Sequence, residues 1–337
     1  MSATNVSLDA IESTTKQALM AHGAADWIAS SVATAVRVAE ANHNKICGLY
    51  YLESYCLQLL SGRVNGQVEP VVSQPKTASV AVDAKFGFAQ SAFQRGLTTA
   101  LETARETGTC SLAICHAHTC TSLGFFTEQI AEAGLVGIGF TNASAVVSPP
   151  GGTQAVIGTN PIAMSVPAHG GGVAFQFDQS TSAVALGKIT MANAAGDAIP
   201  EGWAVDTNGQ PTTDPAEALK GSLVSLGGME TGYKGYGFGL MAEVLAAAIT
   251  GSVNSVDVKG LKVPEGTPHD LGQFYFLLDP TAVAGDAFWD RLARLTSVVD
   301  GQEGTRLPGS ARRTPDSVSI SSALWQQTQT LAAYTPA

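Results

Sequence analysis

Cysteine and histidine side chains are concentrated in one short segment, CSLAICHAHTC, which runs from Cys110 to Cys120. A structural zinc site usually combines two closely spaced pairs of ligands, and no matching second pair follows this segment. In an extended strand, alternate side chains point to opposite faces, so His116 and His118 are expected on one face and Cys115 on the other. The segment therefore predicts a strand with buried thiols and no metal site. A histidine at the edge of a ligand pocket is the alternative.

Glycine and proline mark two turns that could bring the backbone close to a ligand. PPGG at 149–152 and IGTNP at 157–161 gather backbone N–H groups on tight turns, as pyrophosphate or carboxylate binding requires. GYGFG at 235–239 lacks the GxGxxG spacing and comes late in the chain, so a Rossmann fold is not predicted. The sequence contains no P-loop, HExxH motif or nucleophile-elbow serine.

The composition excludes several classes of protein. The chain has 337 residues, of which 45% are hydrophobic and 14% charged, a balance that predicts a packed globule of about two domains. The net charge of −10 argues against a nucleic-acid partner, because phosphate contacts need clustered lysine and arginine. No apolar run reaches the roughly 18 residues of a membrane helix, and the first residues do not resemble a signal peptide. Five cysteines, an odd number, indicate reduced thiols in a cytoplasmic protein.

Hydrophobic periodicity predicts helices first and then alternating strands and helices. The first sixty residues are typical of three helices: one capped by Ser7, one beginning at Asp26 and one from about Ile46 to Leu60. A connector without periodicity is expected over 63–76. Strands are predicted at 80–83, 111–117, 135–141, 162–166, 173–178 and 273–278, and helices at 89–106, 122–133, 211–220, 236–249, 281–299 and 322–333. This order favours an α/β fold with a mixed sheet.

Five segments together resemble the type-2 malate/L-lactate dehydrogenase family. They are 131–167, with both glycine turns, 175–189 with FDQSTSAVALGKI, 199–215, 227–245 with TGYKGYGFG, and 306–313, RLPGSARR. The resemblance implies a non-Rossmann NAD(P)-binding domain over 76–280, built on a mixed, largely antiparallel sheet. It implies that 1–75 and 281–337 form a helical covering domain, and that the chain is a homodimer.

The resemblance also implies site residues. Thr159 matches a threonine that contacts the substrate, and Leu186 with Gly187 matches a pair that lines it. Tyr233 and Lys234 match a cofactor contact expected at a helix N-terminus, where the helix dipole and an ammonium group both favour phosphate. The cofactor is NAD or NADP, with NADPH preferred. Its full set of implied contacts is Thr119, Cys120, Thr121, Ser122, Leu123, Asp178, Gln179, Ser180, Tyr233, Lys234, Arg306, Leu307, Pro308, Gly309, Ser310, Ala311 and Arg312.

The sequence departs from the family where the proton donor is expected. The family carries S-H-G-x-x-R, whereas this chain reads ICGLYY, so Ile46 replaces the serine, Cys47 the proton-donating histidine and Tyr51 the carboxylate-binding arginine. Cys47 is therefore the candidate proton donor, and Tyr51 is expected to contact the substrate. Two alternatives remain open: Cys47 only packs, or His43 reaches over as the donor.

A second departure concerns the substrate. Lys188 stands where ketimine-reducing members carry an aspartate, and a cation there could stabilise an alkoxide or bind a carboxylate. His118 is expected near the substrate, one position before the family's histidine. The prediction is hydride transfer between a nicotinamide and a small 2-oxo or 2-hydroxy acid, with Cys47 and Lys188 as catalytic residues. Reduction of cyclic ketimines such as pyrroline- or piperideine-2-carboxylate is one alternative, and a cofactor-binding protein without turnover is another.

Overall fold

A mixed α/β architecture built on a seven-stranded sheet is seen in the computed structural model, which describes residues 2–310, 312 and 314–335. Its strands are β1 Ala3–Ser7, β2 Val71–Lys76, β3 Ser79–Asp83, β4 Thr109–Ala117, β5 Val136–Thr141, β6 Ile162–Pro167, β7 Val173–Gln179, β8 Ala204–Val205, β9 Pro211–Thr212, β10 Ser222–Leu223, β11 Leu271–Leu278 and β12 Ser317–Ser321. Its α-helices are α1 Leu8–Ala21, α2 Asp26–Ala41, α3 Leu52–Leu60, α4 Ala89–Thr107, α5 Gly124–Glu132, α6 Leu186–Ala195, α7 Pro215–Lys220, α8 Gly228–Glu243, α9 Thr281–Ala284, α10 Ala287–Asp300 and α11 Ser322–Ala332.

The large sheet has the order β2-β3-β4-β11-β5-β6-β7. Its strands β3 and β4 are parallel and are joined by α4, and the other neighbouring pairs are antiparallel. This confirms the mixed, largely antiparallel sheet. Apolar side chains of β3, β4, α4 and α5 form the largest buried cluster, with Phe93, Phe126 and Tyr275 in edge contact. A small sheet, β10-β8-β9, lies beside α7, which contacts α6.

The two ends of the described chain pack together. Strand β1 pairs with β12 in antiparallel register, and α1 contacts α11. Ser7 caps α1 by accepting a hydrogen bond from Ala10 N at 3.2 Å, as predicted. Among the residues that the structure describes, no helix is long and apolar enough to cross a membrane.

The predicted limits of several helices and loops differ from the structure. The connector predicted at 63–76 contains the strand β2, which lies at the edge of the large sheet. Its Pro75 is tolerated because an edge strand pairs with a neighbouring strand on one side only, and proline has no backbone N–H to donate on the other. Two 3-10 turns, Lys45–Cys47 and Leu49–Tyr51, precede α3 in place of one long helix. The predicted helix at 281–299 is divided by Gly285 into α9 and α10. Helix α6 and strands β1 and β12 were not predicted.

Helix α8 begins at Gly228, eight residues before the predicted start. Tyr233 and Lys234 therefore lie in its second turn and not at its N-terminus, so the expected help from the helix dipole is absent at Lys234. A five-residue π-helical turn, Val244–Ala248, continues the helix.

Candidate active site

A cavity of about 530 Å³ collects residues from the helical segment, the large sheet and α6. Its wall includes Asn44 and Cys47 in front of α3, residues that follow β4 and β5, the end of β7 and the start of α6. Thirteen of the predicted site residues line it: Cys47, Tyr51, Thr119, Cys120, Thr121, Ser122, Thr159, Asp178, Gln179, Ser180, Leu186, Gly187 and Arg312. The structure thus brings together residues that lie far apart in the sequence.

Asp178 organises the loop that follows β4. Its Oδ2 accepts hydrogen bonds from Gly124 N at 2.7 Å and from Ser122 Oγ at 3.1 Å, at the start of α5. Gly124 allows a close approach here, because a Cβ at this position would lie 3.0 Å from the Cβ of Asp178. The surrounding protein removes the Asp178 carboxylate from water and thereby raises its pKa, and the hydrogen bonds from Gly124 and Ser122 oppose this effect. Leu123 packs in the core below the loop and does not line the cavity.

Cys47 lies in the cavity wall at the end of a 3-10 turn. Burial, followed by the charge of Asp178, raises the pKa of its thiol to about 12, while a hydrogen bond with Asn44 lowers it. The thiol therefore stays protonated at neutral pH and is a weak acid. Burial also raises the pKa of the neighbouring Tyr51, which stays neutral and offers a hydroxyl but no charge.

Thr159 is held by the turn predicted from IGTNP. Its carbonyl accepts hydrogen bonds from Thr181 N at 2.9 Å and Thr181 Oγ1 at 3.1 Å. The next residue, Asn160, has a left-handed backbone (φ 34°) and donates from Nδ2 to Glu243 Oε2 at 2.7 Å. Asn160 and the buried Glu243 of α8 were missed by sequence analysis. The sequence signal for this turn was the asparagine of Gly-Thr-Asn, because asparagine tolerates the left-handed backbone better than most residues.

Several predicted residues lie outside the cavity wall. His118 is buried in the core, where its Nε2 lies 2.7 Å from Gln58 Oε1 and its ring stacks on His269 at 4.0 Å. Burial holds the pKa of His118 well below its usual range, so it stays neutral. Lys188 is exposed on α6, with its Nζ 6.0 Å from the ring of Trp203. Tyr233 and Lys234 are exposed on α8, and neither of them lines this cavity.

The segment at 306–312 borders a second cavity, of about 700 Å³, beside the end of α2. Arg306, Pro308 and Gly309 line it, and Arg312 lines both cavities. Arg312 donates to Asn42 Oδ1 at 3.0 Å and to Glu128 Oε2 at 2.9 Å, so the segment is fastened to α2 and α5. Leu307 and Ser310 flank these residues, and the predicted contact Ala311 lies outside the described residues.

The segment 259–267 carries no recognisable motif, although its Leu261 lines the first cavity. The buried Arg63 holds this segment by donating to the carbonyls of Lys259, Gly260, Val263 and Thr267. Gln58 adds hydrogen bonds to the carbonyls of Leu261 at 2.9 Å and Val263 at 2.8 Å. No periodicity marks a loop of this kind, because its position depends on side chains about 200 residues earlier in the sequence.

The sequence of this chain matches a known protein family. The malate/L-lactate dehydrogenase family matches residues 6–325. The chain is 37% identical to a (2R)-3-sulfolactate dehydrogenase (NADP(+)) of Chromohalobacter salexigens, over 91% of this chain and 90% of that protein. It is 35% identical to a Δ1-pyrroline-2-carboxylate reductase of Ancylobacter novellus, over 88% and 86%.

A solved structure has the same fold. The Δ1-piperideine-2-carboxylate reductase of Pseudomonas syringae pvar. tomato superposes with a TM-score of 0.89 at 32% identity, over 97% of this chain and 99% of that one. The family match spans nearly the whole sequence, and the identities extend over most of both chains. The chain therefore belongs to the malate/L-lactate dehydrogenase family.

Proposed function

We propose that this chain uses NADPH to reduce carbon 2 of a small carboxylic acid. The observation that carries the proposal is the 530 Å³ cavity, because it gathers the substrate position Thr159 with the cofactor positions Ser122 and Asp178. The names of the relatives agree with this activity, since they include a sulfolactate dehydrogenase and a pyrroline-2-carboxylate reductase.

The two cavities fit an extended dinucleotide. Arg312 borders both, so a ligand could pass from the cavity with Asp178 to the one with Arg306. Carboxylate and hydroxyl groups at Asp178 and Ser122 suit a carboxamide and ribose hydroxyls, while the guanidinium of Arg306 suits a phosphate. When bound, the nicotinamide supplies the hydride. The cationic second cavity and the NADP(+)-dependent relative support NADPH over NADH.

The cofactor site is inferred to be of a non-Rossmann kind. A Rossmann site needs a glycine-rich turn between the first strand and helix of a βαβ unit. The parallel pair β3 and β4 with α4 is such a unit, but the turn after β3 reads AKFGF (84–88) and lacks the fingerprint. The cavity instead follows β4 and the end of β7.

The scarcity of acids in the cavity favours a cyclic ketimine as the substrate. A protonated C=N bond becomes an amine once it accepts a hydride, whereas a carbonyl becomes an alkoxide that still requires a proton. Cys47 is a weak acid, and Tyr51 holds its proton more tightly than an ordinary tyrosine. The negative charge of Asp178 also favours a cationic substrate. The earlier expectation of a 2-oxo acid depended on Lys188, which is exposed outside this cavity.

A 2-oxo acid remains the second candidate because of the sulfolactate dehydrogenase relative. The two are separated by measuring NADPH oxidation with Δ1-piperideine-2-carboxylate and with 3-sulfopyruvate, using the wild type and Cys47→Ala. We expect turnover of the ketimine, and Cys47→Ala should keep its kcat within about threefold because no donor is needed. A loss of about 10²–10⁴-fold would instead identify Cys47 as a general acid. NADPH binding without turnover of either substrate would contradict the proposed function.

We infer that the chain forms a homodimer through α8 and the turn that follows it. Phe238, Val244 and Ile249 are each more than half exposed, which is unusual for large apolar side chains close together in the sequence. Light scattering should give twice the monomer mass of 34.6 kDa, and the double variant Phe238→Glu/Val244→Glu should give the monomer. Val283→Glu, at an isolated and 99% exposed valine, is the control and should stay dimeric.

The packing of the two chain ends supports a helical unit built from both of them. One buried cluster combines α1–α3 with β1 and β12, although α10 has no buried residues.

The state of the thiols supports a reducing, cytoplasmic location. All five cysteines are free.

A further inference from the structure

Three potential metal ligands converge at one end of the large sheet, and none of them lines either cavity. Asp83, Cys115 and His116 offer ligand atoms that all lie within 4.8 Å of one another. His116 Nδ1 is 2.9 Å from Asp83 Oδ1 and 3.5 Å from Cys115 Sγ. All three residues are partly exposed, so an ion could reach them from solvent.

An irregularity in β4 creates this arrangement. The register of β4 with β11 shifts between Leu271 and Gln273, and His116 adopts a left-handed backbone (φ 51°). The ordinary alternation predicted His116 and Cys115 on opposite faces. The shift instead places the His116 ring beside the Cys115 thiol, and the expectation that His116 and His118 share a face was wrong.

Backbone strain is concentrated around the same cluster. Lys85, Phe86, His116 and Asp270 all have positive φ, between 48° and 62°, although none is glycine. Such conformations are costly for ordinary residues and tend to persist where function requires them. Lys85 and Phe86 follow Asp83 closely, and Asp270 directly precedes β11, whose Leu271 pairs with Ala117.

Asp270 lies beside this cluster in the fold, directly before the β11 residue Leu271, which pairs with Ala117 of β4. Its Oδ1 is buried and has no hydrogen-bond partner among the described residues. A buried carboxylate oxygen without a partner is costly, and a cation bound nearby would lower that cost.

We propose that Asp83, Cys115 and His116 form a binding site for a zinc ion. One thiolate, one imidazole nitrogen and one carboxylate form a mixed sulfur, nitrogen and oxygen set that suits zinc better than magnesium or calcium, which prefer oxygen alone. Cys115 would lose its thiol proton to solvent when the ion binds. The ion would join the ends of β3 and β4.

Zinc titration of the chelator-treated full chain, in competition with a chromophoric chelator, tests the site. We expect one zinc per chain, and Cys115→Ser should weaken its binding by more than about 100-fold. His116→Asn should do the same, and asparagine tolerates the left-handed backbone, so this variant keeps the fold. The matched control is His43→Asn, at an exposed histidine that also has positive φ (57°), which should bind zinc like the wild type.

Two readouts independent of affinity complete the test. Cobalt(II) in place of zinc should give thiolate charge-transfer absorption in the wild type and lose it in Cys115→Ser. Zinc should raise the Tm of the wild type and of His43→Asn but leave the Tm of His116→Asn unchanged. The proposal is overturned if the wild type binds no stoichiometric zinc, or if Cys115→Ser binds it equally well, since the ion would then lie elsewhere.

Discussion

Arg63→Ala is expected to lower the free energy of unfolding by about 3–5 kcal/mol, because a buried cation would no longer satisfy four backbone carbonyls. The Arg63 side chain is 2% exposed, and its hydrogen bonds all go to the segment 259–267. No carboxylate pairs with it among the described residues. The planar guanidinium therefore presents several N–H donors in a fixed geometry and positions the segment 259–267.

Urea unfolding of Arg63→Ala, Arg63→Lys and Arg105→Ala measures this effect. Lysine presents its donors from a single point and should recover only part of the loss. Arg105 is the matched control, since it donates to one carbonyl, Ala133 O at 3.0 Å, at an exposed position, and its loss should cost about 1 kcal/mol or less. Limited proteolysis should cut Arg63→Ala within 259–267. An Arg63→Ala protein as stable as Arg105→Ala would contradict this role.

Loosening this segment should also affect the cavity. Leu261 lines the cavity wall, and Lys262 Nζ lies 3.4 Å from the centre of the Tyr50 ring and 5.5 Å from that of Tyr51. The segment thus connects the buried Arg63 to the wall of the proposed substrate site. A rise in KM that exceeds the change in kcat is expected for Arg63→Ala at temperatures where it stays folded.

The order of strands and helices was largely predictable because their signals are local. Strand β5 and helix α4 carry periodicities that a short window reveals, and their limits differ from the prediction by one residue. Pairing between distant segments was not predictable in the same way. The strand β1 is stabilised by β12, which is about 310 residues away, and neither is distinctive alone.

Glycine explains why the start of α8 was placed too late. The segment that begins α8 contains many glycines, and these normally favour loops. In the structure Gly235 packs against Leu226, whose carbonyl oxygen would lie 2.2 Å from an added Cβ. Close packing therefore requires glycine within the helix, and tertiary contacts outweigh its low helix propensity.

The candidate site was predictable where family motifs persist and not where this sequence departs from them. Asp178 and Thr159, which the resemblance named as contacts of cofactor and substrate, both line the cavity. His118 was expected near the substrate, but a strand irregularity at His116 and stacking on His269 place it in the core. The resemblance also gave no information on a site at Asp83, Cys115 and His116, because these residues lie outside its motifs.

Asp178→Ala is expected to reduce kcat/KM for NADPH oxidation by about 10- to 100-fold. It removes the acceptor that orients Ser122 and Gly124, and hydrogen bonds to a charged group are worth about 1.5–3 kcal/mol. The Kd for NADPH, measured by fluorescence titration, should rise in parallel, because the loop between β4 and α5 forms the cavity wall. Asp178→Asn keeps the shape and one acceptor, so its loss should be smaller.

The response to pH separates the charge of Asp178 from its shape. The pKa of this carboxyl is raised in the folded protein, so its ionised form is lost as the pH falls through that raised value, before an ordinary aspartate would be protonated. Affinity for NADPH should therefore decline on mild acidification in the wild type and stay flat in Asp178→Asn. Asp214→Ala is the control, since Asp214 caps α7 through Ala216 N at 2.8 Å outside the cavity. Its loss should cost about 1 kcal/mol of stability and leave NADPH binding unchanged, and equal effects of the two alanine variants on Kd would refute a role for Asp178 in the site.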